Sequence, residues 1–413
     1  MRAAGINEIC TALALLCGFI AGLCLQQDLY AQRDEKTVLV HYMPWYASKP
    51  VSGQWGWHWT MNHFHPDKVK SDGQREVASH DYPLIDLYDS SDPDLLDCHV
   101  LLMKFAGIDG VIIDWYGIKE FRDYAEIHRN SEQLVKHLKK ADLQFAICYE
   151  DQTVKHMVKE KLLLKQDDVA HGKKVLNWLA DNWFSDDAYV NLDGRPILLV
   201  FGPQYFSRNQ WAQILSGVSR SDPLLYGLPH ISEQMGMDGA FGWPPVAKGR
   251  EVTPSVWRSY LRSLYDRRDS ARSVVSVAFP GFHDIYEEAN VHDSYGSIEA
   301  HNGQTFAQTL KLAQECNSQI VQIATWNDYG EGTVIEPTKA SGYRYLEHVQ
   351  KNRKDQSAYN PSDLRLPVSL YQLKKRHARN PARMKRLEIA SELLFDGKCN
   401  EARAVLAAVN ENG

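Results

Sequence analysis

Residues 325–333, TWNDYGEGT, carry two carboxylic acids, Asp328 and Glu331, three positions apart. Gly330 and Gly332 lie among them and let the backbone bend. Trp326 and Tyr329 add aromatic faces, and Asn327 adds an amide. Two carboxyl groups held close repel each other's charge, so one keeps its proton near neutral pH while the other ionises. Hydrolysis of a glycosidic bond needs that division: an acid to protonate the leaving oxygen and a carboxylate to act beside the sugar ring. We expect Glu331 to be the proton donor and Asp328 the ionised partner. The competing reading is a polar turn.

Such a loop needs a rigid support. The apolar run at 319–324 reads as a buried strand leading into it. Seven earlier runs read the same way, at 37–46, 110–117, 144–151, 196–201, 224–230, 238–245 and 273–284. Helical patterns separate many of them, at 93–106, 124–141, 153–183, 253–272 and 305–318. Short apolar strands alternating with helices predict a parallel α/β fold. Eight strands close a TIM barrel, (β/α)8, in which active sites sit at the C-terminal strand ends. An open doubly wound sheet is the alternative, but no GxGxxG or phosphate-binding loop follows a strand.

Polar and aromatic residues gather at those strand ends. The first strand ends in His41, Tyr42, Trp45 and Tyr46, the second in Asp114, Trp115 and Tyr116, and the third in Tyr149 and Glu150. With Trp326, Asn327 and Tyr329 they form the expected substrate-binding set. The rings offer platforms for sugar C–H faces; core packing is the competing reading for each. Asp114 and Glu150 are rival acids, able to bind hydroxyls or to join the chemistry. Glu336, before Pro337, reads as a support for the loop.

The 413 residues are 44% hydrophobic and 24% charged, an ordinary globular balance. A net charge of −6 leaves no footprint for nucleic acid. Residues 1–31 read as a signal peptide: Arg2, an apolar stretch at 10–25, and a cut after Ala31. The mature protein is then exported, with no membrane span. The catalytic domain is expected over 32–357. A helical C-terminal appendage follows over 358–413, its basic residues forming a solvated face. Cys98, Cys148, Cys316 and Cys399 are widely spaced and lack a zinc pattern, so free thiols are expected. His41, His58, His63 and His65 match no helical metal motif. No cofactor and no metal is expected; the partner is an oligo- or polysaccharide.

HYMPWY on the first strand and TWNDYGEGTVIEP after the last resemble the catalytic domain of glycoside hydrolase family 99 and its relative, family 71. The first includes endo-α-mannosidases and endo-α-1,2-mannanases, the second α-1,3-glucanases. The likeness runs over roughly residues 38–337, with its specific motifs at the two ends. It implies a (β/α)8 barrel with both catalytic carboxylates in the final loop, at Asp328 and Glu331. The mannan-directed family usually has Glu at the first position. Asp328 departs from that and is one methylene shorter, which sets its carboxylate back from the sugar. That family is thought to deprotonate the sugar's 2-hydroxyl and pass through an anhydro-sugar. WNDYGE is similar to the glucanase side and GTVIEP to the mannanase side. An exported hydrolase of α-linked glycans is the leading reading. A non-catalytic carbohydrate-binding barrel and a metal-dependent hydrolase using the histidines with Asp114 are its rivals.

Overall fold

The computed structural model describes residues 36–266, 274–353 and 358–411. Eight strands run parallel: β1 (Thr37–Tyr42), β2 (Gly110–Trp115), β3 (Gln144–Tyr149), β4 (Arg195–Val200), β5 (Leu224–Gly227), β6 (Gly239–Phe241), β7 (Val274–Ala278) and β8 (Ile320–Ile323). Each pairs with the next and β8 returns beside β1, closing a (β/α)8 barrel.

Alternation along these strands decides what each end offers, because successive side chains point to opposite faces. Leu39, Ile112, Ala146, Cys148, Ile197 and Leu199 fill the barrel interior. Val40, Tyr42, Ile113, Trp115, Ile147 and Tyr149 face outward, into the shell of helices. Burying each large apolar side chain contributes about 1.5–3 kcal/mol, so the register is strongly held.

The helix Pro93–Ala106 has the bounds its pattern predicts. The Asp92 side chain accepts the Asp94 N–H, Pro93 opens the first turn, and Gly107 ends the helix at φ 79°. The helix expected over 153–183 is instead two, Gln152–Lys159 and Asp168–Asn182. Lys161 stands at φ 60° between them, a left-handed position that no helix continues through. The strand expected over 273–284 stops at Ala278. Phe282–His283 then pairs with Gly296–Ile298, and that strand with Arg250–Glu251, in a small separate sheet.

Helices Arg365–His377, Pro381–Phe395 and Cys399–Glu411 form the C-terminal bundle against Pro93–Ala106. Part of its basic face docks rather than facing solvent. Lys374 Nζ lies 2.9 Å from Asp94 Oδ1, and Lys375 Nζ 2.7 Å from Asp92 Oδ2. Cys98, Cys148, Cys316 and Cys399 are free thiols. Among the described residues no helix is long and apolar enough to cross a membrane. The leader expected over 1–31 lies outside the described residues.

Candidate active site

The loop after β8 is fixed at several points before its acids are placed. Trp326 N–H donates to the His41 carbonyl at 2.7 Å, extending the contact with β1. The Asn327 amide clasps the backbone of Met43, accepting its N–H at 2.8 Å and donating to its carbonyl at 3.0 Å. Tyr46 Oη donates to the Asn327 carbonyl at 2.7 Å and accepts the Tyr329 N–H at 3.1 Å. On the far side His283 N–H donates to the Glu331 carbonyl at 2.9 Å. Gly332 makes that approach possible. Its φ is +66°, and a Cβ there would lie 2.6 Å from the His283 carbonyl oxygen.

Thus held, the turn aims Asp328 and Glu331 into one cleft of about 770 Å³. Asp328 Oδ1 accepts the Glu331 N–H at 3.0 Å, tying the shorter acid to its partner's backbone. Asp114 and Glu150 line the same cleft, as do His41, Trp45 and Tyr116. Four carboxyl groups therefore share one hollow, at the C-terminal end of the strands.

Burial and neighbouring negative charge control their protons. Asp328 is pushed up to about 7, by burial first and then by Asp114, against the pull of backbone N–H groups. Glu331 is raised well above the ordinary range by burial and by Asp328, partly opposed by a hydrogen bond from Trp243. Its Oε2 has no hydrogen-bond partner among the described residues. Glu150 is likewise raised by burial and by Asp114, while Gln152 donates to its Oε2 at 2.7 Å. This arrangement raises the proton affinity of both acids, Asp328 to about 7 and Glu331 well above the ordinary range.

His41 forms part of the floor. Gln322 Nε2 donates to the Gly242 carbonyl at 2.8 Å, which turns its Oε1 toward His41 Nδ1 at 3.4 Å. His41 Nε2 is left without a hydrogen bond, 3.9 Å from Asp114 Oδ1. His41, Asp114 and Cys148 place one possible ligand atom each within 4.8 Å of one another. His58 and His63 stand elsewhere: His58 pairs with Asp123 at 3.3 Å, and His63 with Asn290 at 3.2 Å.

The rest of the expected set lies behind the cleft. Tyr42, Trp115 and Tyr149 point outward from their strands, since His41, Asp114 and Cys148 point in. Tyr42 Oη meets His99 Nδ1 at 2.9 Å. Trp115 packs on Trp178, with ring centres 5.8 Å apart. Trp326 is fully buried against His99. Tyr46 and Tyr329 belong to a buried aromatic cluster with Trp59 and Tyr88, while Asn327 acts as the backbone clasp. Glu336 sits beneath the loop, where Tyr88 Oη donates to its Oε2 at 2.8 Å and His99 Nε2 lies 3.2 Å from its Oε1.

Trp243, Tyr286 and Tyr295 complete the walls. The strand reading reached past Trp243 without assigning it a role. Strand parity gives the missing signal: Phe241 faces inward, so Trp243 does too. Tyr286 and Tyr295 come from a long loop whose approach to the acids no local pattern encodes.

A closed barrel with acids gathered in one cleft at the C-terminal strand ends has the layout of a TIM-barrel enzyme, and two such acids are what glycoside hydrolysis requires. The profile of glycosyl hydrolase family 99 matches residues 34–360, and the chain belongs to that family. The human glycoprotein endo-alpha-1,2-mannosidase-like protein is 25% identical over 342 residues, covering 75% of this chain and 70% of its own. The mouse glycoprotein endo-alpha-1,2-mannosidase is 23% identical over 340 residues, covering 74% and 70%. The GH99 endo-alpha-mannosidase from Bacteroides thetaiotaomicron shares the fold, with a TM-score of 0.54 at 18% identity over 78% of this chain and 99% of its own.

Proposed function

We propose that this hydrolase is exported and cuts within α-linked, mannose-containing glycans, with Glu331 as proton donor and Asp328 as the ionised partner. The observation that carries the roles is the unequal hold on the two acids. Asp328 is tied to backbone N–H and sits at about 7, whereas Glu331 has an oxygen without a partner and is pushed well up by burial and by Asp328. The mannose preference and internal cutting are supported by the names of the human and mouse relatives. Export is supported by the leader-like composition of residues 1–31, and we take 32–357 as the catalytic domain and 358–413 as its helical extension.

In this reading Asp328 takes the proton of the sugar's 2-hydroxyl, whose oxygen bonds to the adjacent anomeric carbon as the glycosidic bond breaks. Glu331 gives its proton to the departing oxygen. Water then opens the anhydro-sugar, Glu331 recovers a proton from that water, and Asp328 returns its own. Two inversions at one carbon give net retention. Asp114, Glu150, His41, Trp45 and Tyr116 hold the sugar in the cleft, while the residues packed behind it hold the loop.

A panel of α-linked polysaccharides and oligosaccharides with product sizing tests the substrate and the mode of cutting. Oligosaccharides released from α-mannan are expected, with retained anomeric configuration in the first NMR spectra. Binding without any release of reducing ends would establish a non-catalytic barrel instead. Activity lost on chelation and restored by a metal would move the chemistry to His41 and Asp114.

A further inference from the structure

At the floor of the cleft, three neighbouring strands turn one side chain each toward a single point. His41 comes from β1, Asp114 from β2 and Cys148 from β3, and each offers one donor atom within 4.8 Å of the other two. Register and parity bring them together. Asp114 lies opposite Cys148, His41 lies opposite Ile112 on the strand that carries Asp114, and all four point inward. Because the members come from separate strands, spacing along the chain does not reveal the group. Nothing in the proposed chemistry uses Cys148.

The histidine is prepared as a ligand. Gln322 Oε1 faces His41 Nδ1 at 3.4 Å, and the Gln322 amide is oriented by its own bond to the Gly242 carbonyl at 2.8 Å. An amide oxygen only accepts, so the imidazole proton sits on Nδ1 and Nε2 carries a lone pair. Metal-binding histidines are held in this way, through an acceptor on the other ring nitrogen. His41 Nε2 is buried without a hydrogen bond and faces Asp114 Oδ1 across 3.9 Å. Two acceptors facing each other leave a place for a cation. Zinc holds nitrogen and oxygen at about 2.0–2.2 Å, which sets them about 3.4 Å apart at the tetrahedral angle, so the pair has to close by about half an ångström. Cys148 adds a buried sulfur that is in no disulfide. One nitrogen, one oxygen and one sulfur suit zinc-class ions rather than magnesium or calcium. The cleft above is lined by four carboxyl groups and by no lysine or arginine among the described residues, a field that draws cations in.

We propose that His41 Nε2, Asp114 and Cys148 form an inhibitory site for a zinc-class divalent cation, with its fourth position facing the sugar cleft. The thiol releases its proton to solvent as the sulfur–metal bond forms. A bound ion occupies two groups assigned above to the sugar, so the ion and the glycan exclude each other. The binding stands on the geometry alone; the competition rests on the glycan-cutting reading.

The test adds Zn²⁺ alone to the chelator-stripped full chain and follows binding by calorimetry, in wild type, Cys148→Ala and Cys148→Ser. Tight binding is expected in wild type, weakened at least about a hundredfold in both variants. Cys148→Ser keeps the size of the side chain and decides the matter if Cys148→Ala fails to fold. Co²⁺ in place of zinc should give a thiolate-to-cobalt charge-transfer band in the near ultraviolet, lost in both variants. Zinc should inhibit glycan cleavage by the wild type, reversibly on chelation. The zinc concentration for half inhibition should rise at least about tenfold in Cys148→Ser, measured against that variant's own zinc-free rate. No tight binding in wild type, or an affinity and a cobalt band unchanged in the variants, overturns the site. Binding that leaves cleavage at its zinc-free rate overturns the inhibitory role. Zinc bound as described to a protein that cuts no glycan keeps the site and removes the hydrolase reading.

Discussion

Glu331 and Glu336 lie five residues apart on one loop, the first half-buried at the wall of the cleft and the second fully buried beneath it, and are treated in opposite ways. Glu336 is fully satisfied. Tyr88 donates to one oxygen and His99 contacts the other, while Asn327 Nδ2 donates to Tyr88 Oη at 3.1 Å. Glu331 has an oxygen without a partner and three acids close enough to raise its affinity for a proton. A buried polar network with every member paired rigidifies what it touches. An underpaired buried acid costs stability and holds a proton it can give away. The contrast teaches that one glutamate holds the loop still, which in the proposed mechanism leaves the other free to react.

Replacing Glu331 by Gln should give the largest effect. It removes the transferable proton, and kcat should drop by roughly 10²–10⁴-fold. Because burial already favours the neutral form of Glu331 and Gln matches it in size, the melting temperature should stay within about 2 °C of the wild type. Loss of structure by circular dichroism would break the comparison.

Glu336→Ala should behave in reverse. It strands His99 and Tyr88, and urea denaturation should show a loss of about 3 kcal/mol. Activity should fall as a consequence, with a greater share recovered in Glu336→Gln than in Glu331→Gln.

Gly332→Ala probes the join between the two regimes. The added methyl meets the His283 carbonyl at a left-handed position, so the turn must shift. A fall of about tenfold in kcat/KM is expected, with only a small change in melting temperature.

The mildest probe is pH. With Asp328 at about 7, kcat/KM should rise as pH climbs through that value and fall again at higher pH as Glu331 loses its proton. Stability should run the other way. A carboxyl whose folded pKa is raised stabilises fully below its unfolded value near 4, and that contribution is lost as pH climbs toward 7. An acidic limb left in place in Asp328→Asn would assign it to another group, with Glu150 next in line.

Much of this was legible in the chain. The apolar runs alternating with helices announced eight strands, and the strand ends pointed to the correct rim of the barrel. His41, Asp114 and Glu150 reach the cleft. Reading every aromatic at a strand end as a wall of the site ignored parity: one strand cannot turn both His41 and Tyr42 inward. Trp243 followed the same rule unnoticed. The break at Lys161 depends on one backbone angle, which helical periodicity hides. Tyr286 and Tyr295 reach the acids through a long irregular loop, whose path is set by tertiary contacts rather than by spacing.

The clasp between Asn327 and Met43 joins positions 284 residues apart in sequence. The first strand leaves the ribosome long before the segment that must close upon it. On the proposed roles, a shortened chain ending before that segment would lack both reacting acids. Contacts of such long range carry a loop-closure cost and slow folding. In the proposed mechanism, closing the ring between the first and last strands is then also what assembles the catalyst.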